Sequence, residues 1–278
     1  MEAPVLLLVA IAAVFHAAWN ALLKGAADPI QVSGRALLGG TALATLPAIA
    51  LWLYSGRPGL PVAALLLAVL SALLQTVYFV FLSEAYRRGE LSEVYPTARG
   101  TAPLLAVLVG LSILGERPRP LALLGLACLL GGLWLTRPPL RAGSALVPAL
   151  LTGVTIAAYT AVDRAGVRLG PPWLYGYLLW VFGALFLTIV TRFRKPVAGR
   201  LPEWPRALQI GALMTAAYFL ILYALSEAPL SLVSPLRESA IVLVTAWGVF
   251  RLRETKGAAV RLLGALVIMA GVVLVTVS

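Results

Sequence analysis

Two arginines lie inside apolar segments of this chain. Arg99 stands in VYPTARGTAPLLAVLVG, which begins at Val94, and Arg237 stands in LSLVSPLRESAIVLV, which begins at Leu230. A guanidinium group carries a permanent positive charge and a planar set of N–H donors, which suits a carboxylate or a phosphate. Because a charge inside an apolar helix is costly unless it meets a partner or water, we expect both side chains to face an internal cavity that binds substrate.

An acid directly follows the second of these arginines. Glu238 is adjacent to Arg237 in sequence, and neighbouring side chains on a helix point about 100° apart, so we expect the two not to pair well. Glu238 would instead bond across the bundle to Arg99 or to Arg35, a shallower third cation, and would then fix helix packing. The alternative is that Glu238 carries a coupling proton.

The first apolar segment presents a polar stripe. His16, Trp19 and Asn20 stand at positions i, i+3 and i+4, so they share one helix face. An imidazole exchanges a proton near neutral pH, an amide hydrogen-bonds a carboxylate or an amine, and an indole stacks on an apolar group. We therefore predict three substrate-binding residues, with His16 as a second proton-coupling candidate. Helix packing through His and Asn hydrogen bonds is the alternative.

Other polar and aromatic residues fall within further apolar segments and are expected to line the same cavity. These residues are Gln75, Tyr78, Tyr159 and Tyr218. Aromatic residues near the ends of segments are instead typical of the belt at a membrane surface. The belt candidates are Trp52, Tyr54, Trp134, Trp173, Tyr175 and Tyr177.

Enzyme and cofactor chemistry find little support in the residue types. The chain has one histidine and one cysteine, Cys128, so a His/Cys metal cluster cannot be assembled. No motif joins a nucleophile to a base. We predict no catalytic residue, no metal and no cofactor.

The segments that position these residues are those of a membrane protein. Of 278 residues, 61% are hydrophobic and 12% are charged, and the mean hydropathy is +0.95. Apolar runs of about 18 to 22 residues recur, long enough to cross a hydrocarbon core of about 30 Å. Because backbone polar groups must be satisfied inside lipid, each run is predicted to be a helix. Ten helices are predicted near 4–23, 31–54, 61–85, 92–114, 119–136, 144–164, 173–191, 207–225, 231–251 and 258–277.

The chain also repeats itself. LSEVYPTARGTAPLLAVLVGLSILGERP, from Leu91, aligns with LSLVSPLRESAIVLVTAWGVFRLRETK, from Leu230. Since each copy contains five helices, an odd number, the second copy enters the membrane upside down. The fold class is therefore an all-α membrane protein of two inverted five-helix repeats, 1–140 and 141–278. The aligned pairs are Pro96 and Pro235, Arg99 and Arg237, Glu116 and Glu254, Gly125 and Gly264, and Gly132 and Gly271.

The basic residues predict orientation and partners. Loops on the side of the N-terminus hold five Lys and Arg and the opposite loops hold fourteen, so the positive-inside rule places both termini on the non-cytoplasmic face. The net charge of +11 thus faces lipid headgroups rather than nucleic acid. We predict an integral protein of a bacterial or archaeal cytoplasmic membrane, a monomer or homodimer, with lipid, a small-molecule substrate and protons as candidate partners.

The order and duplication of these motifs resemble a known family. The proline followed by ILGER at Ile113, the closing LLG and Gly-Gly pattern, and HAAWNALLK in the first helix are similar to the EamA-like branch of the drug/metabolite transporter superfamily. That resemblance implies a secondary carrier, commonly an exporter of amino acids or other small metabolites, with a cavity between the repeats. It also implies architectural roles for the family's motif positions, here Pro96, Glu116, Gly125, Pro235, Glu254 and Gly264.

Two transport functions fit these observations. The first is export of a small amphipathic or anionic metabolite such as an amino acid, by alternating access around a site in the middle of the membrane. The second is a flippase for an anionic lipid headgroup, because paired arginines also suit a phosphate. A lateral opening towards lipid would distinguish the second from the first.

Overall fold

The structure is a computed structural model that describes residues 3–89, 91–136, 143–194, 204–238 and 258–277. Within these residues it contains ten α-helices, one short 3-10 turn at Gly143–Ala145, and no strand. The prediction of an all-α chain is confirmed. The helices are α1 (Ala3–Lys24), α2 (Pro29–Tyr54), α3 (Val62–Arg88), α4 (Leu91–Ser112), α5 (Pro120–Thr136), α6 (Leu146–Gly166), α7 (Pro172–Arg192), α8 (Trp204–Glu227), α9 (Leu230–Arg237) and α10 (Ala258–Val277).

The described helices have the length and composition of membrane spans. Seven of them are at least 18 residues long and apolar enough to cross a bilayer, and the apolar stretches Thr97–Ser112 and Pro120–Leu135 are shorter. The predicted ninth helix, 231–251, falls within the described residues only as far as Glu238. The predicted division of the chain near residue 140 lies at 137–142, also outside the described residues, and stays a prediction.

Close packing of glycines shows that α5 and α10 are antiparallel. A methyl group added to Gly125 would lie 2.9 Å from the carbonyl oxygen of Gly271, and one added to Gly132 would lie 2.7 Å from that of Gly264. As the residue number rises along α5 it falls along α10. The sequence alignment pairs Gly125 with Gly264 and Gly132 with Gly271, so a two-fold rotation exchanges the two contacts. This is the geometry expected of inverted repeats.

The other helices interlock across the repeats in the same way. Helix α3 packs against α6 and α7, and α8 packs against α1 and α2. If α1, α2 and α3 correspond to α6, α7 and α8, each set of contacts is the image of the other. The helices of each repeat therefore pack against helices of the other repeat. Side chains from both repeats meet at the centre of the bundle.

The glycine contact between α5 and α10 predicts a position-specific loss of stability. We expect Gly132→Ala to lower the free energy of unfolding by about 1–3 kcal/mol, because the added methyl group overpacks backbone that cannot move aside independently. The measurement is the thermal unfolding midpoint in detergent. Gly131→Ala is the matched control: an added methyl group there meets no atom within 4 Å, and alanine is favoured over glycine inside a helix by about 0.5–1 kcal/mol. Equal midpoints for the two variants would contradict this account of the interface.

Candidate functional site

Both predicted arginines converge on one carboxylate in the bundle interior. Glu238 Oε1 accepts a hydrogen bond of 2.9 Å from Arg99 Nη1 and lies 3.3 Å from Arg237 Nε. The three residues are 8%, 2% and 6% exposed. Arg99 lies eight residues into α4 and Arg237 seven residues into α9, and these helices begin at opposite ends of the bundle. The two side chains therefore meet at Glu238 from opposite ends of the bundle, and we call Arg99, Arg237 and Glu238 the arginine cluster.

One prediction about this acid is confirmed and another is wrong. The bond between Glu238 and Arg99 spans the bundle as predicted, joining α4 of the first repeat to the end of α9 in the second. The prediction that Glu238 and its neighbour Arg237 would not pair is wrong. Both side chains are long enough to bend back towards each other, so the 100° between their Cβ directions does not separate their ends. Arg35 lies elsewhere, with its guanidinium carbon 6.0 Å from the ring centroid of Trp204.

Two buried nitrogen atoms near this acid have no hydrogen-bond partner among the described residues. They are Nη2 of Arg237 and Nε2 of His16. His16 lies within electrostatic reach of Arg99 and Arg237. Its Nδ1 accepts a bond of 3.0 Å from the indole N–H of Trp19, which can only donate. Nε2 of His16 therefore carries the ring hydrogen in the neutral tautomer, and both unpartnered atoms are donors.

The remaining residues of the α1 stripe contribute to helix packing. Asn20 donates to the carbonyl of His16 at 2.8 Å and accepts from the hydroxyl of Tyr86, on α3, at 3.1 Å. Trp19 is 3% exposed and its ring centroid lies 6.0 Å from that of His16. The bond from Tyr86 joins α3 to α1, which is the helix-packing role that the sequence also allows for this stripe. Trp19 also orients the imidazole ring of His16, whose other nitrogen, Nε2, has no partner among the described residues.

Aromatic rings connect the other predicted site residues to one another. Tyr78 and Tyr159 meet edge to face at 5.7 Å between centroids, and Tyr159 lies 6.3 Å from Tyr218. Tyr218 stacks on Trp180 at 4.5 Å and accepts a bond of 2.7 Å from Gln75 Nε2. The predicted residues Gln75, Tyr78, Tyr159 and Tyr218 thus lie together, on helices α3, α6 and α8, drawn from both repeats.

A buried acid at the end of this aromatic row was missed by the sequence interpretation. Asp163 is 1% exposed and accepts hydrogen bonds from the hydroxyls of Tyr175, at 2.9 Å, and Tyr218. The assignment of Tyr175 to the membrane-surface belt is wrong, because its side chain is fully buried against Asp163. A signal was available: Tyr159 and Asp163 stand at i and i+4, so the acid continues a polar helix face. Its position beside Arg164 at the end of an apolar run made it look like a loop residue.

On the side of the N-terminus, a contact between Glu116 and the start of α9 joins the two repeats. Glu116 follows Gly115, whose φ of 66° favours glycine. Its carboxylate accepts from the backbone amides of Leu230 at 2.7 Å and Ser231 at 2.9 Å, the first two residues of α9. These amides are among the donors that a helix start leaves unpaired. These contacts fit the architectural role that the family resemblance implies for Glu116, and its counterpart Glu254 lies outside the described residues.

The sequence and fold of this chain are similar to those of known proteins. The profile of the EamA-like transporter family matches residues 3–137 and matches again at 143–277. This chain belongs to the EamA-like transporter family. The family resemblance inferred from the repeated motifs is therefore confirmed, and the molecule is an integral membrane transporter.

Individual proteins support the assignment. This EamA-like transporter is 29% identical over 277 residues to a protein of Bacillus subtilis (strain 168) described as uncharacterized transporter YwfM, covering 90% of this chain and 88% of the relative. One solved structure superposes on all of this chain and on 98% of its own, with a TM-score of 0.74 at 19% identity. That likeness shows that the EamA-like transporter shares an established fold.

Proposed function

We propose that this EamA-like transporter is a secondary carrier for a small metabolite that bears a carboxylate, such as an amino acid. The carboxylate would be bound by Arg237 and His16 in the cluster around Glu238. The neighbouring ring pair of Tyr78 and Tyr159 would accommodate the apolar part of the substrate. Tyr218 and Gln75 extend the same row towards α8.

One observation carries the proposal: Nη2 of Arg237 and Nε2 of His16 are buried donors without a partner among the described residues. An unsatisfied buried donor costs about 1–3 kcal/mol, and more when it is charged. A ligand atom placed between two such donors must be an acceptor, and a carboxylate is the acceptor whose charge also matches Arg237. A neutral acceptor would bond more weakly to the guanidinium group, and a cationic ligand would be repelled by it.

Enclosure of the cluster supports an alternating-access mechanism. His16, Arg99, Arg237 and Glu238 are each less than 10% exposed. A cleft beside Glu238, lined by residues such as Pro103, Leu133 and Ile268, is too narrow for a water molecule. A substrate reaches such a cluster only when helices separate at one face and then at the other. The two repeats, which interlock through α3 and α8, are the bodies that would move.

Export is the direction that the family resemblance favours. The basic loops on the side opposite the N-terminus would face the cytoplasm and would take up the substrate there. The flippase alternative would use the same donors to bind a phosphate, and it also requires a lateral opening towards lipid.

The test is a thermal-shift screen of the purified full chain with matched pairs of ligands. Each amino acid or organic acid is assayed beside the carboxamide that lacks its negative charge. We expect at least one acid to raise the unfolding midpoint and its carboxamide to have no effect, because a ligand that binds the native state stabilises it, by about 2.7 kcal/mol at a hundred times its Kd. Equal shifts for acids and carboxamides, or a shift with lysophosphatidic acid alone, would reject the proposal.

A further inference from the structure

Asp163 stands apart from the other buried ionisable groups of this protein. Glu238 is bonded to two guanidinium groups, and the His16 ring is bonded to Trp19. Asp163 is 1% exposed within a membrane-spanning helix and has no cationic side chain within salt-bridge distance among the described residues. An acid buried in this way in a membrane helix is costly, and such acids commonly serve in ion or proton pathways.

The hydrogen bonds around Asp163 come from both repeats. Tyr175 on α7 donates to Oδ1 and Tyr218 on α8 donates to Oδ2. Gln75 on α3, in the first repeat, donates to the Tyr218 hydroxyl and to Ser71. The state of one carboxylate thus controls a bonded chain that joins α6, α7 and α8 to the helix of the other repeat against which they pack.

Among the described residues, few charged or titratable groups face Asp163. Arg237 on α9 acts on it from a distance, Tyr175 and Tyr218 contact it directly, and the Ser71 side chain of α3 faces it. Tyr159 precedes it on the same face of α6. Arg164, next in sequence, points away and donates to the carbonyls of Leu225 and Ser226.

We propose that Asp163 is a proton-binding site of this transporter, distinct from the arginine cluster. Both carboxylate oxygens already hold tyrosyl hydroxyls, so the site has no room for an ammonium group, whereas a proton needs none. A proton taken from water forms an O–H bond at Oδ2 and converts the carboxylate to the neutral acid. That oxygen then donates to the Tyr218 oxygen, so the Tyr218 hydroxyl must turn its own hydrogen away from Asp163.

The consequence for transport rests on the proposed function. Turning of the Tyr218 hydroxyl changes the geometry of its bond to Gln75, which links the repeats. Proton binding at Asp163 would thereby favour separation of the repeats and would couple a proton to each cycle. Proton binding itself requires no substrate.

The experiment is an infrared difference titration of the full chain in lipid nanodiscs, without substrate. We expect a protonated-carboxyl band that appears on acidification, shifts in heavy water, persists in Glu238→Gln and His16→Ala, and is absent from Asp163→Asn. Asp163→Glu should restore a carboxyl band at a different frequency, which keeps the test decisive if the asparagine variant misfolds. Replacing sodium by choline should leave the titration unchanged.

Three results would overturn the assignment. They are a band that survives in Asp163→Asn, loss of the band only in Glu238→Gln, and a titration that depends on sodium. Because no ligand is present, these results are independent of the carboxylate screen. A failed screen with a positive titration would reject the proposed substrate class and retain the proton site.

Discussion

Arg237→Gln is expected to abolish ligand binding and transport while the protein remains folded. The substitution removes the buried donor Nη2 and the charge that attracts the carboxylate. Truncating one partner of a buried charged hydrogen bond costs about 2–5 kcal/mol, which corresponds to about a 30-fold to 4,000-fold loss of affinity. The measurements are the thermal shift with the carboxylate found in the screen and its uptake into proteoliposomes.

Arg35→Gln is the matched control for this prediction. It removes the same charge from a membrane helix, but Arg35 lies against Trp204 rather than Glu238. We expect it to bind the ligand as the unmodified chain does. Arg237→Lys should recover part of the affinity, since it restores the charge without the planar pair of donors. If Arg237→Gln bound the carboxylate normally, the arginine would serve only to hold Glu238.

Glu238→Ala is expected to cause the largest loss of stability among single substitutions in the cluster. It leaves Arg99 and Arg237 without the carboxylate that both of them contact. Removing one partner of a buried ion pair costs about 3–5 kcal/mol, because the remaining charge is buried without compensation. The measurement is the unfolding midpoint in detergent and the yield of monodisperse protein. Glu227→Gln, at the exposed end of α8, should leave both unchanged.

A double variant separates charge imbalance from lost packing. Arg237→Gln combined with Glu238→Gln removes one charge of each sign, so we expect it to be more stable than Glu238→Gln alone. Residues in direct contact show such coupling in double-mutant cycles. If the two effects simply added, the Arg237–Glu238 pair would contribute little to the fold.

The architecture was accessible from sequence because membrane insertion imposes strong local rules. Apolar runs of the right length must be helices, and an odd number of helices in each repeat must invert the second copy. The glycines that the repeat aligns, Gly125 with Gly264 and Gly132 with Gly271, lie in the antiparallel interface between α5 and α10. The family resemblance implied an architectural role for Glu116, but the helix that it caps, α9, is distant in sequence and was identified only by the structure.

The candidate site was only partly accessible. Arg99 and Arg237 stand out because each is a charge in an apolar run and because the two occupy aligned positions of the repeat. Asp163 and Tyr175 lie near helix ends, where sequence alone does not distinguish a buried side chain from one at the membrane surface. Their burial depends on which helices pack around them, and that information is not local.

By itself, the sequence determined the membrane location, the helices, the inverted repeat and the presence of interior cations. Each of these follows from the cost of placing backbone or charge in hydrocarbon, which depends on neighbouring residues along the chain. Only the tertiary structure decided that Glu238 contacts both arginines, that Nη2 of Arg237 and Nε2 of His16 have no partner among the described residues, and that Asp163 bonds to two tyrosines. Hydrogen bonds form over about 3 Å, so the pairing of side chains from different helices is set by how the bundle packs.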